Sequence, residues 1–103
     1  MNTKEQAIYI SKSLNIKDQC IQCIEECAEL QQALSKLYRF YGNNRPANNY
    51  GEISNNIQEE VADVMVAIDV LKHSGVINMT EVYQIANTKL NRWVQRLNND
   101  WSE

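Results

Sequence analysis

The sequence predicts an all-α fold, a four-helix-type bundle that is completed by oligomerisation. Residues that favour helices dominate, and the 103 residues include only three glycines and one proline, too few turn formers for a typical β fold. Apolar residues recur three and four positions apart, which is the spacing of one helix face. A chain of this length buries only a modest core. We therefore expect one helical domain over residues 1–103 that forms a homodimer or a homotetramer.

The first two predicted helices meet at Asn15. The first, over residues 3–14, is short and amphipathic. Its inward side is predicted to contain Ala7, Ile10, Ser11 and Leu14. Asn15 is of a residue type that caps helix N-termini, so we expect the second helix over residues 17–41. The residues predicted to face inward from this helix are Cys20, Ile24, Cys27, Leu30, Leu34 and Leu37.

An Asn-rich segment with glycine and proline, residues 42–51, separates the second helix from the third. The third helix is predicted to start near Asn55 or Asn56, with Glu59 placed for a capping-box contact, and to stop at Gly75. It is apolar nearly all round, which predicts a central, buried position. The fourth helix is predicted to begin at Thr80 and to run to about residue 99.

Three cysteines, Cys20, Cys23 and Cys27, include a C-x-x-C pair. A zinc site needs a fourth ligand, and the single histidine, His73, is far along the chain near a predicted helix end. The cysteines share a helix face with Ile24, so core packing is the favoured interpretation over metal or redox chemistry. His73 is interpreted as a residue that interacts with a helix C-terminus.

Two acidic motifs predict a metal site: E-E-C-A-E at residues 25–29 and E-E-V-A-D at residues 59–63. Residues three or four apart share a helix face, so each motif places its acids on one side of a helix. If the two faces meet, the carboxylates that gather there are Glu25, Glu26, Glu29, Glu60 and Asp63. Mg2+ and Mn2+ prefer such oxygen ligands. The alternative is that Glu60 and Asp63 are first-turn residues that the helix dipole stabilises outside the core.

The predicted fourth helix contains the complementary charges. Lys89, Arg92 and Arg96 lie within an arc of roughly 60° beside apolar residues that include Trp93. Cations on the inward side of a helix need anions, either the acidic motifs themselves or the phosphates of a nucleotide. The alternative is that these side chains are ordinary solvated or interface cations.

The two acidic motifs, together with K-L-N-R-W-V-Q-R at residues 89–96, resemble the pattern of the MazG-like all-α nucleotide pyrophosphohydrolases. The resemblance covers about residues 20–97. It implies a single MazG-like helical domain and Mg2+-dependent hydrolysis of a nucleoside triphosphate between its α and β phosphates. The products would be a nucleoside monophosphate and pyrophosphate.

The resemblance also implies roles for individual residues. Glu25 and Glu26 are the candidates for catalysis, one of them as the general base. The acids that correspond to the family's metal ligands are Glu25 or Glu26, together with Glu29, Glu60 and Asp63. With Glu26 as the first ligand, the expected set for Mg2+, or for Mn2+ in its place, is Glu26, Glu29, Glu60 and Asp63. The residues that correspond to the family's phosphate-binding region are Lys89, Arg92 and Arg96.

Other classes of function are less consistent with the sequence. A net charge of -3, concentrated in the acidic motifs, argues against a nucleic-acid partner. The chain has no apolar run of about 20 residues and no signal-like N-terminal run, so we expect no membrane partner and a cytoplasmic location. There is no P-loop, and one histidine is too few for a di-iron carboxylate bundle. The remaining alternative is a catalytically silent relative that binds nucleotides or a protein partner.

Overall fold

The computed structural model describes residues 1–42 and 49–101, with side chains as far as residue 99. Four helices follow one another along this part of the chain: α1 Thr3–Ser13, α2 Ile16–Gly42, α3 Tyr50–His73 and α4 Met79–Trp101. The described residues contain no strand, so the all-α prediction is confirmed. None of these helices combines the length and the apolar character that a membrane crossing requires.

Asparagine side chains fix the starts of three helices. The Oδ1 atoms of Asn2, Asn15 and Asn78 accept hydrogen bonds from the backbone N–H groups three residues later, at 2.8, 2.8 and 3.2 Å. Each bond satisfies an N–H group that the first helical turn leaves without a partner. The predicted cap at Asn15 is therefore confirmed, and it sets the short α1–α2 connection.

Helices α2 and α3 form an antiparallel pair. The rings of Phe40, near the end of α2, and Tyr50, at the start of α3, lie 5.9 Å apart. Positions that are at least half-buried follow a spacing of three and four on both helices, as in a coiled-coil seam. On α2 they are Gln19, Cys23, Glu26, Leu30, Ala33, Leu37 and Phe40, and on α3 they include Ile53, Ile57, Glu60, Val64, Ala67 and Leu71. Helix α1 packs on α3 and buries Ala7.

The predicted inward face of α2 is wrong at four of its six positions. Leu30 and Leu37 are half-buried as expected. The four residues that are exposed instead are Cys20, Ile24, Cys27 and Leu34. The residues that face α3 lie one position earlier in the sequence. The prediction missed them because two of them, Gln19 and Glu26, are polar, and an apolar pattern does not indicate polar residues. Core packing consequently applies to Cys23 alone, and all three cysteines are free thiols.

Helix α3 starts at Tyr50, five residues before the predicted start at Asn55. Packing of Ile53 and Ile57 in the seam stabilises the extra turns and outweighs the weak helix propensity of the asparagines between them. Glu59 therefore lies inside the helix and is not a capping residue. Residues 43–48, which make up most of the predicted connection, are outside the described part of the chain.

The described core is small. Its buried apolar residues are Ala7, Ala33, Ala67, Val70 and Leu71. The prediction that α3 is buried all round is wrong for a single chain, because Met65 and Val66 are 65% and 60% exposed. The predicted inward side of α4 is likewise not buried within one chain, because every residue from 80 to 99 is exposed.

The turn after α3 depends on Gly75, whose φ is +89°. The backbone N–H of Gly75 donates to the carbonyl of Lys72 at 3.3 Å and so closes the helix end. We predict that Gly75→Ala lowers the free energy of unfolding by about 1 kcal/mol, because a residue with a Cβ is strained at this φ. Denaturant unfolding measures the change.

Gly51→Ala is the matched control. Gly51 lies in the first turn of α3, and a Cβ there meets nothing within 4 Å. Alanine should stabilise this helical position by about 0.5–1 kcal/mol. Equal effects of the two substitutions would show that the backbone conformation at Gly75 does not limit the choice of residue.

Candidate metal centre

Four carboxylates from the two central helices lie together. Glu26 and Glu29 come from α2, and Glu60 and Asp63 come from α3; one oxygen of each lies within 4.8 Å of the others. The three-residue spacing puts each pair on one helix face. The antiparallel packing then places Glu29 beside Glu60 and Glu26 beside Asp63. The structure thus brings together the four predicted metal ligands.

The seam gives these carboxylates different environments. Glu26 and Glu60 occupy seam positions and are half-buried, whereas Glu29 and Asp63 are exposed at its edge. The Oε2 atoms of Glu26 and Glu60 are both buried without a hydrogen-bond partner among the described residues. The other oxygen of Glu26, Oε1, accepts a hydrogen bond from Nε2 of Gln22 at 2.9 Å. Buried polar atoms without partners cost free energy, so this site is stabilised by anything that binds those oxygens.

The electrostatics of the cluster favour protonation or a cation. Burial raises the pKa of Glu26, and the neighbouring charges of Glu29 and Asp63 raise it further. The pKa of Glu60 is also raised, first by burial and then by the hydrogen bond and charge of Glu29. The ion pair in the described part of the chain joins Lys72 to Asp69 at 3.0 Å. No described cation forms an ion pair with the cluster.

A hard divalent cation fits this set of donors. Mg2+ binds oxygen atoms at about 2.1 Å, so opposite ligands are roughly 4.2 Å apart. The 4.8 Å spread of the four oxygens is close to that separation, and small side-chain rotations would close the difference. Carboxylate oxygens are also the type of ligand that suits Mg2+ and Mn2+.

The remaining predicted site residues lie elsewhere. Glu25 is exposed on α2 and is not one of the four clustered carboxylates. Lys89, Arg92 and Arg96 line an open surface of α4 together with Trp93. Within the described residues, no ion pair joins these cations to the carboxylates. In a single chain the phosphate-binding candidates are therefore separate from the metal-binding candidates.

Sequence reasoning missed a cleft that adjoins the cluster. This cleft has a volume of about 270 Å³, and its lining includes Gln19, Gln22, Glu26 and Asp63. Gln19 is only 3% exposed. A signal was present in the sequence, because Gln19 is seven residues before Glu26 and so has the same position in the coiled-coil repeat.

Comparison of the chain with protein-family models, with curated proteins and with solved structures gives no match.

The raised pKa values of Glu26 and Glu60 predict how stability depends on pH. Without a divalent metal, the thermal unfolding midpoint should decrease as the pH rises from the ordinary value of 4.5 through the raised values. Over this range the folded chain holds protons that the unfolded chain has already lost. Calorimetry across this pH range measures the decrease, and Mg2+ at neutral pH should reverse it.

Glu60→Gln tests the source of this effect. The amide removes one charge and offers Glu29 a hydrogen-bond donor, so the variant should be more stable than the native protein at neutral pH without metal. It should also gain less stability from Mg2+. The control is Glu59→Gln, which changes an exposed neighbour. Identical pH profiles for the native protein and Glu60→Gln would contradict the explanation.

Proposed function

We propose that the protein is a Mg2+-dependent nucleotide pyrophosphohydrolase that converts a nucleoside triphosphate into a monophosphate and pyrophosphate. The observation that supports this most directly is the meeting of Glu26, Glu29, Glu60 and Asp63 between two facing helices. Their two motifs are the ones that resemble the MazG-like enzymes. The assignment as an enzyme, the MazG-like family and the magnesium requirement all belong to this proposal.

In this proposal the four carboxylates hold Mg2+ and the chain positions the reacting groups. When bound, the metal neutralises phosphate charge and makes water a better nucleophile. A cluster carboxylate oxygen that is not a metal ligand orients the attacking water and accepts its proton. The water oxygen forms a bond to the α-phosphorus. The bond between that phosphorus and the oxygen that bridges the α and β phosphates breaks, and pyrophosphate leaves with the bridging oxygen. Gln22 keeps Glu26 in place through its hydrogen bond to Oε1.

The positive charge for the phosphates comes, in this proposal, from a second copy of the chain. On a helical wheel of α4, Val82, Trp93 and Leu97 form an apolar stripe with the three cations along its edge. The stripe is exposed in one chain; Trp93, for example, is 59% exposed. Association of two or four copies would cover the stripe and bring its cations to a partner's carboxylates.

Trp93→Ala tests the assembly. If α4 packs against a second copy, this substitution should lower both the molecular mass in solution and the thermal stability. Sedimentation and thermal unfolding measure the two effects. Gln84→Ala, on the opposite side of the same helix, is the control and should change neither. If the protein were a monomer, Trp93→Ala would alter the free energy of unfolding by only about 0.5 kcal/mol, as other exposed substitutions do.

The activity itself is tested by incubating the protein with Mg2+ and each nucleoside triphosphate in turn. Pyrophosphate and monophosphate should form in equal amounts from at least one nucleotide. Glu29→Gln and Asp63→Asn keep the side-chain shape but remove a charged ligand, so each should lower the rate at least about a hundredfold. Glu59→Gln, beside the cluster, should retain activity.

Absence of product from every nucleotide, with the protein folded and stabilised by Mg2+, would contradict the enzymatic proposal. The chain would then be a catalytically silent nucleotide-binding or regulatory protein. In that case nucleotides should still raise the unfolding midpoint without being consumed.

A further inference from the structure

The cleft beside the carboxylates has the character of a ligand pocket. Its lining combines the carboxylates of Glu26 and Asp63 with apolar side chains from α1 and α3, among them Ile10, Val66 and Ala67. Binding sites for small molecules are mostly apolar, with a few polar groups that fix orientation. A volume of about 270 Å³ is slightly below the range of roughly 300–1,000 Å³ for drug-sized ligands. The cleft is therefore large enough for one ring system but not for a whole nucleotide.

Gln19 supplies the buried polar group of this cleft. Its Nε2 donates hydrogen bonds to the backbone carbonyls of Ser11 and Leu14, both at 2.9 Å. Two carbonyl acceptors on one side fix the orientation of the amide, because only the NH2 group can donate to them. The Oε1 atom consequently faces elsewhere, and it is buried without a hydrogen-bond partner among the described residues.

A buried amide oxygen without a partner selects for a ligand that donates a hydrogen bond. The N–H groups on the edges of nucleobases are donors of this kind. Ile10 and Leu14, which line the same cleft, are each more than one third exposed. Their side chains have room to rotate, which would give a ring access to Oε1.

We propose that this cleft binds the nucleobase of the substrate, and that Gln19 Oε1 accepts a hydrogen bond from an N–H group on the base edge. This inference rests on the proposed function, because the base that it places in the cleft belongs to the nucleotide whose phosphates are proposed to lie at the carboxylates. Aliphatic side chains contact the faces of the ring, and Gln19 forms a hydrogen bond with its edge. Gln19 is thus a specificity-determining residue that also joins the start of α2 to the end of α1.

Nucleosides test this inference without metal, phosphate or turnover. The four common ribonucleosides are added separately to the full chain while amide chemical shifts are recorded by NMR. At least one should shift signals around Gln19. The analogue of that nucleoside with methyl groups in place of its edge N–H hydrogens should bind at least about tenfold more weakly, since it leaves Oε1 without a partner.

Two variants locate the site. Val66→Phe fills the cleft from α3 and should abolish nucleoside binding. Met65→Phe adds the same ring at the neighbouring exposed position, which does not line this cleft, and should leave binding unchanged. Gln19→Met removes the acceptor but also the bonds to α1, so its fold must be checked by circular dichroism. If that variant unfolds, the methylated analogue still tests the role of Oε1.

The inference is overturned if no nucleoside binds, if methylation does not weaken binding, or if Val66→Phe and Met65→Phe behave alike. Release of pyrophosphate together with any of these results would leave the proposed function intact and refute the base-binding cleft. Nucleoside binding that depends on the edge N–H, without release of pyrophosphate, would support the cleft and refute the hydrolytic activity.

Discussion

Repulsion among four carboxylates is the constraint on which the centre of this structure depends. The seam between α2 and α3 places Glu26 and Glu60 where leucine or isoleucine would normally pack, with Glu29 and Asp63 beside them. Their charge is not compensated by any ion pair that the structure describes. Uncompensated charge at these partly buried positions lowers the free energy of unfolding of the metal-free chain. We therefore expect a cation or a proton to bind between these carboxylates. Proteins often retain a destabilising arrangement of this kind where it serves a function.

The helix pair explains how a small protein holds these groups in place. The carboxylates lie on regular helices, whose backbone is fixed by their own hydrogen bonds, and not on loops. The seam continues on both sides of the cluster, through Leu30 and Ala33 on α2 and through Val64 and Ala67 on α3. Apolar packing thus sets the distance between the helices, and that distance sets the separation of the carboxylates.

Several parts of this structure could be predicted from local patterns. The all-α class follows from composition and apolar spacing, and Asn15 identifies the start of α2 because its cap is a contact between near neighbours in sequence. The pairing of the acids on each helix also follows from helix geometry, since Glu26 and Glu29 share a face, as do Glu60 and Asp63. What a pattern could not supply is the choice between Glu25 and Glu26, which depends on how α2 is rotated toward α3.

The errors have a common physical origin. Cys20, Ile24 and Leu34 were predicted to face inward because they are apolar, yet the seam lies one position away, where Gln19 and Glu26 make it partly polar. A hydrophobic pattern misses buried positions of this kind, because it detects only apolar residues. The exposed apolar stripe of α4 is a related case, because its burial depends on contacts beyond a single chain.

Anomalous diffraction from crystals soaked in Mn2+ tests the central claim most directly, because it locates the cation without reference to activity. We expect one or two peaks within coordination distance of the oxygens of Glu26, Glu29, Glu60 and Asp63, and none in the isosteric Glu60→Gln, Asp63→Asn double variant. A native crystal with no peak at this cluster would contradict the account.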